Sequence, residues 1–292
     1  MMTTDSGVTT PETAAREIAG GDVAAGDIAT LDYRGQPLPC TSCRHRDWLI
    51  EGACEPGRAC VHDRYARRID RFFAWHPESA PEYLDHPYFE VRAVAAKYAH
   101  VFCLPPLLDD ADETVRWSAA ARLPRRHLLR LRDDPHREVR IRVAHRLEGS
   151  DLEAMRQDVD YYVRMVVARR LPEHRLHLLL DDPEPQVRRE LARRLSPAEL
   201  MGLVADDDPQ VRLEIALRLP EHLLHWLVGD ADWRVRHFVA GHIAPGYLPL
   251  LANDPDPLVR EQVAARLREQ SAAAGGTGVG ANGSDDTGEC HG

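Results

Sequence analysis

The chain has 292 residues, 43% of them hydrophobic, and a formal net charge of −10. That is enough chain for a large core or an extended repeat array, and no apolar run approaches the roughly 18 residues that a membrane span needs. The acidic balance argues against a general nucleic-acid binder, which needs a basic face to neutralise phosphate.

Residues 1–38 show no basic start followed by an apolar stretch, so no secretory signal is read there. The segment is expected to be disordered and the protein cytoplasmic. Cytosolic thiols are kept reduced, so clustered cysteines in that compartment point to metal or redox chemistry. Four of the six cysteines, Cys40, Cys43, Cys54 and Cys60, form a C-x2-C-x10-C-x5-C arrangement within an expected module at 39–80. Four thiolates can wrap a zinc ion or an iron–sulfur centre, and the spacing alone does not choose between them. Pro39, Gly52, Pro56 and Gly57 are turn formers that place the ligands on loops. His45 and His62 read as ordinary surface histidines. The segment VHDRYARRIDRFFAWH then predicts an amphipathic helix with Val61, Tyr65, Ile69, Phe72 and Phe73 on one face. Such a helix is a natural cap for a repeat array, and metal loss should destabilise the first repeats.

From 81 to 270 the chain repeats. A Val-Arg pair recurs every 24 residues at Val91, Val115, Val139, Val163, Val187, Val211, Val235 and Val259. Five residues after each Val stands an alanine, from Ala96 to Ala264, and thirteen after each of the first seven a leucine, from Leu104 to Leu248. Asp134-Pro135, Asp182-Pro183 and Asp254-Pro255 predict helix openings, with Asp capping free amides. Val139, Val143 and Leu147 give one apolar face, and Pro124, Pro172 and Pro220 end the helices. The predicted helix is about 13 residues, roughly 20 Å at 1.5 Å per residue. A return leg of about 11 residues must cover a similar distance. A rise of roughly 2.0 Å per residue does so, which predicts 3₁₀ or loosely helical segments on the other side. The repeated alanine is where neighbouring helices should approach most closely.

The unit, clearest as DDPHREVRIRVAHRL (133–147) and DDPEPQVRRELARRL (181–195), resembles the leucine-rich repeat variant family. The resemblance implies an all-α, right-handed superhelical solenoid of alternating α and 3₁₀ layers. It also implies a small amino-terminal cysteine domain holding a 4Fe–4S cluster, with Cys40, Cys43, Cys54 and Cys60 in the matching place. It further suggests a link to nitrogen fixation, since the chain resembles proteins encoded near nitrogen-fixation genes. Ala111, Val159, Asp207 and Ala231 replace the opening proline, and Gly241 is expected to interrupt the seventh helix.

Several features are read as structural. The Arg after each Val, Arg92 to Arg260, is expected to pair with the Asp of adjacent repeats, such as Asp110, Asp134, Asp158 and Asp182. A second set, Arg122, Arg146, Arg170, Arg194 and Arg218, is read as more available to a partner. His174-x-x-His177 and His222-x-x-His225 lack a completing ligand, and Cys103 reads as a buried or neutral thiol. Cys290 and His291 lie in a Gly-rich tail, 271–292, expected to be disordered. No nucleophile elbow, Walker loop or paired carboxylates are present, and Trp117, Trp226 and Trp233 are too scattered to form a base-binding pocket. The expected function is a non-catalytic scaffold that binds a protein partner, possessing a cluster for electron transfer or redox sensing. The partner would belong to the nitrogenase system. The alternative is a nucleic-acid-binding solenoid with a structural zinc site.

Overall fold

The computed structural model describes residues 29–275. Cys290 and His291 therefore lie outside the described residues. Residues 29–38, expected in the disordered segment, are ordered instead. Leu31 bridges Pro37, and the Asp32 carboxylate accepts the amides of Arg34 at 2.9 Å and Gln36 at 2.8 Å. Residues 271–275 likewise continue the last helix, Pro257–Gly275, because Ser-Ala-Ala-Ala favours helix.

The chain forms two compact units, Met1–Leu147 and Glu148–Gly292. The first holds the cysteine module, a helix at Ala66–Trp75, a 3₁₀ segment at Pro77–Tyr83, and repeat helices at Phe89–Tyr98, Glu113–Ala120 and Arg137–Ala144. The second holds repeat helices at Tyr161–Arg170, Pro185–Ala192, Pro209–Arg218, Trp233–His242 and Pro257–Gly275. Return legs are purely 3₁₀ at Glu173–Leu179, Glu221–Leu227 and Pro245–Leu251. The first return leg is a pair of 3₁₀ turns, Val101–Cys103 and Pro105–Asp109, and in the other three one α-turn precedes the 3₁₀ turn, as at Pro197–Leu200 and Met201–Leu203, where Ser196 and Glu199 form a capping box. The alternation of α and 3₁₀ legs matches the expectation. Val187, Leu191, Leu195, Leu200 and Leu203 of one repeat are buried together as its share of the core.

The helices are shorter than the predicted 13 residues: seven have 8 to 10, and only the last, with 19, is longer. The Asp-Pro step lies outside the helix. Asp134 accepts the His136 amide at 2.8 Å, closing a turn, and the helix begins at Arg137 with His136 as its cap. Where an Asp stands two residues further on, it caps directly, as Asp112 does for Thr114 and Asp208 for Gln210. Gly241 does not interrupt its helix, which runs through to His242. A Cβ there would come within 3.2 Å of the Gln262 amide of the next repeat, so the small residue admits that neighbour.

Six of the eight Val-Arg arginines, Arg92, Arg116, Arg164, Arg188, Arg212 and Arg236, pair with an Asp of the next repeat as expected, whereas Arg260 meets only backbone carbonyls among the described residues. Arg116 donates from Nε and Nη2 to both oxygens of Asp134, at 2.8 and 2.9 Å, while its Nη1 donates to the carbonyls of Asp110 and Ala111. Arg188 does the same with Asp206, and Arg212 with Asp230. The second arginine set is also engaged, contrary to the reading that left it open to a partner. Arg122 donates to the carbonyls of Ala96 and Ala99 in the preceding repeat, and Arg218 to those of Ala192 and Leu195. These carbonyls lie at the carboxyl ends of helices, where they lack internal donors and where the dipole favours a cation.

Burial alone would raise the Asp134 carboxyl, but the Arg116 fork and the His136 amide outweigh it and hold the pKa below the ordinary value. A depressed folded pKa contributes stability that is present above the unfolded value of about 3.9 and is lost as pH falls through the folded one. The stability gap between the parent and an Asp134→Asn variant should therefore stay constant above about pH 5 and close below about pH 4. Denaturation at several pH values measures it, and a gap that persists unchanged to pH 2 would contradict the assignment.

Candidate metal centre

The cysteine module is a run of tight turns around a short helix, Arg46–Ile50. Gly52 and Gly57 sit at φ 73° and 82°, a left-handed conformation that disfavours other residues, and each reverses the chain beside a ligand loop. Glu55 and Ala59 exchange two backbone hydrogen bonds, at 3.0 and 2.7 Å, closing the loop between Cys54 and Cys60. The Cys54 amide donates to Trp48 O at 3.1 Å, and the Cys60 amide to Arg68 O at 3.1 Å, which anchors the loop to the helix Ala66–Trp75.

These turns bring Cys40, Cys43, Cys54 and Cys60 to one pocket of about 300 Å³, including its open mouth. Leu38, Pro39, Leu49, His45, His62 and Arg46 complete the wall. Cys54 and Cys60 are buried at its floor, whereas Cys40 and Cys43 are half-buried at the rim. Among the described residues, no three His, Cys, Asp or Glu side chains converge closely enough to hold a single ion. Burial is the largest cause raising the Cys40 thiol, followed by the sulfurs of Cys60 and Cys43. A hydrogen bond to Cys54, then burial, pushes Cys60 far up, while the same bond pulls Cys54 down. Four thiolates would thus repel one another in this apolar pocket. A cationic centre removes that penalty, and a soft all-thiol set suits an iron–sulfur cluster. The His45 amide donates to Cys43 Sγ at 3.4 Å, the kind of contact that tunes a cluster sulfur.

His45 is not the surface residue expected from the sequence. It is 6% exposed, stacks on Trp48 with centroids 4.3 Å apart, and its Nε2 meets the hydroxyl of Tyr83. Burial, and then Arg44, lower its pKa to about 4, so it is neutral at physiological pH. Trp48 in turn stacks on His76 at 4.0 Å, and the His76 Nε2 meets the Ala53 carbonyl at 2.6 Å. Phe72 and Phe73 pack against Tyr83. The aromatic cluster joins the cysteine loops to the helix that precedes the repeats. Sequence reasoning missed it because its members lie up to 38 residues apart with no shared period. Tyr83→Phe should leave the His45 nitrogen unpaired in the core and cost about 1–3 kcal/mol. A denaturation midpoint equal to the parent's would show that the contact contributes nothing.

His62 lies at the pocket wall, half-buried, and burial lowers its pKa. His177 and His225 each turn Nδ1 to the carbonyl three residues earlier, at 2.9 and 2.6 Å, so neither pair is arranged as a ligand pair. Cys103 is half-buried and stands apart from the pocket. Trp117 is occupied by the guanidinium of Arg142, 4.6 Å from its ring centroid.

Comparison with known proteins agrees with both parts of the chain. Residues 30–82 match the family model described as "LRV protein FeS4 cluster", a span that contains all four pocket cysteines. An uncharacterized 27.7 kDa protein encoded in the nifB 3′ region of Rhodobacter capsulatus is 54% identical over 97 residues, covering 33% of this chain and 40% of that protein. A solved leucine-rich repeat variant, with a repetitive structural motif described as novel, is 42% identical with a TM-score of 0.74. The match covers 78% of this chain and 98% of that one. The cysteine domain is thus of the FeS4-cluster kind, which favours 4Fe–4S over the zinc alternative. Among the described residues, no helix is long and apolar enough to cross a membrane.

Proposed function

The chain belongs to the leucine-rich repeat variant family, and from that premise we propose that it is a non-catalytic, cytoplasmic scaffold whose repeats bind a protein partner and whose 4Fe–4S cluster is held by Cys40, Cys43, Cys54 and Cys60. The observation that carries the reading is the convergence of these four thiols on one pocket inside the matched segment. When bound, such a cluster supplies a one-electron redox centre whose potential is set by hydrogen bonds to its sulfurs and by solvent exposure. Cys40 and Cys43 at the rim offer the shorter path to a docked redox partner. The Rhodobacter relative supports a place beside the nitrogenase system. The internal pairing of both arginine sets speaks against a phosphate-binding row and hence against nucleic acid.

The test is capture of the tagged full chain from nitrogen-fixing cells and from the same cells grown on ammonium. Enrichment of nitrogenase-system proteins only under fixation supports the proposal. Equal capture in both states, or none, would remove the nitrogenase context.

A further inference from the structure

The last repeat supplies an internal comparison. The alanine five residues after each Val is fully covered in the four preceding repeats of the second unit: Ala168 0%, Ala192 0%, Ala216 1% and Ala240 0% exposed. Ala264, the same position, is exposed. Eight residues after each Val, Leu171, Leu195, Leu219 and Ile243 are 7% exposed or less, whereas Leu267 is 41% exposed. Arg164, Arg188, Arg212 and Arg236 each place Nε and Nη2 on both oxygens of the Asp that opens the next repeat. Arg260 keeps only the Nη1 contacts to the carbonyls of Asp254 and Pro255, and meets no carboxylate among the described residues.

From this we infer that the end face of the last repeat, Arg260, Ala264 and Leu267, is a docking site for an amphipathic helix opened by an aspartate and supplied by a protein partner. The same surface chemistry is covered by such a helix in the preceding repeats: a carboxylate on the arginine fork, and apolar side chains over the alanine and leucine. An uncovered repeat face is what a solenoid must otherwise cap with polar residues. By the 24-residue spacing the place of the pairing Asp falls on Gly278, and Val279 is the only large apolar residue of the sequence 276–292. The carbonyls of Ala264 and Leu267 are already taken by Arg268 and Ser271, so the partner need bring no second arginine. The inference rests on the scaffold part of the reading above and not on the cluster.

The probe is a labelled peptide of residues 253–267 of this chain, which carries Asp254, stapled between positions 261 and 265 and shown to be helical by circular dichroism. Saturable binding to the full chain is expected, weakened at least about tenfold by Arg260→Asp in the chain, as loss of a charge-assisted pair implies. Asp254→Arg in the peptide should weaken it equally, and the two changes together should restore binding. Leu267→Glu should also abolish it, with iron per chain unchanged in every variant, which separates failure here from failure of the cluster reading. Absence of binding by the helical peptide, or binding indifferent to Arg260→Asp, overturns the inference. So does a dimer of the full chain that Arg260→Asp dissociates, which would make a second copy the occupant. Peptide binding that rises when Asp285 and Asp286 are both changed to Asn would make the chain's own tail the occupant, and overturns it as well.

Discussion

Cys54→Ser is expected to remove the cluster: iron per chain should fall to background and the visible absorption of the purified protein should vanish. Cys54 lies on the pocket floor, its amide held by Trp48 and its loop closed by the Glu55–Ala59 pair. Serine preserves the volume but replaces a soft ligand by a hard hydroxyl, which a thiolate-loving centre rejects. Cys103→Ser, outside the pocket, should retain full iron. Because ligation and folding are coupled, the serine variant should also lose hydrogen-exchange protection across the helix Ala66–Trp75, through the Cys60–Arg68 backbone link and the stack of His45 on Trp48. Full iron in Cys54→Ser would show that the four thiols do not act as one site.

The second large effect falls on the arginine ladder. Asp134→Asn is expected to destabilise the first unit by about 3 kcal/mol, because it strands the Arg116 guanidinium away from water. The side chains of Arg116 and Asp134 are 11% and 3% exposed, so solvent screens little of that loss. Arg116→Met should cost a similar amount. The pair Arg116→Met with Asp134→Leu should recover only part of it, since the carbonyls of Asp110 and Ala111 still lose their donor. Chemical denaturation compares the three variants with the parent, and an Asp134→Asn variant within 0.5 kcal/mol of the parent, about the size of an ordinary surface change, would contradict the assignment.

The repeat was legible because its period is strict: Val, Ala and Leu return in register, and helix geometry converts that register into faces. Pairing of the Val-Arg arginines with the Asp residues was legible for the same reason, both partners sharing the 24-residue period. The helix starts were less so. An Asp-Pro step reads as a cap, but the Asp carboxylate is claimed by the arginine of the preceding repeat and by its own turn, so the helix begins later. The second arginine set looked free because its acceptors are backbone carbonyls, which leave no mark in the sequence. In the module, the cysteine spacing announced a metal centre, yet only the family resemblance distinguished cluster from zinc. The core role of His45 rests on Tyr83, Phe72 and Trp48, whose spacing follows no rule that a single sequence reveals.

The most direct test is iron and acid-labile sulfide per chain in protein purified without oxygen, with absorption and electron paramagnetic resonance spectra before and after dithionite. About four iron and four sulfide per chain are expected from one 4Fe–4S cluster. One zinc with no sulfide would contradict the account, and would leave the cysteine module as a structural cap.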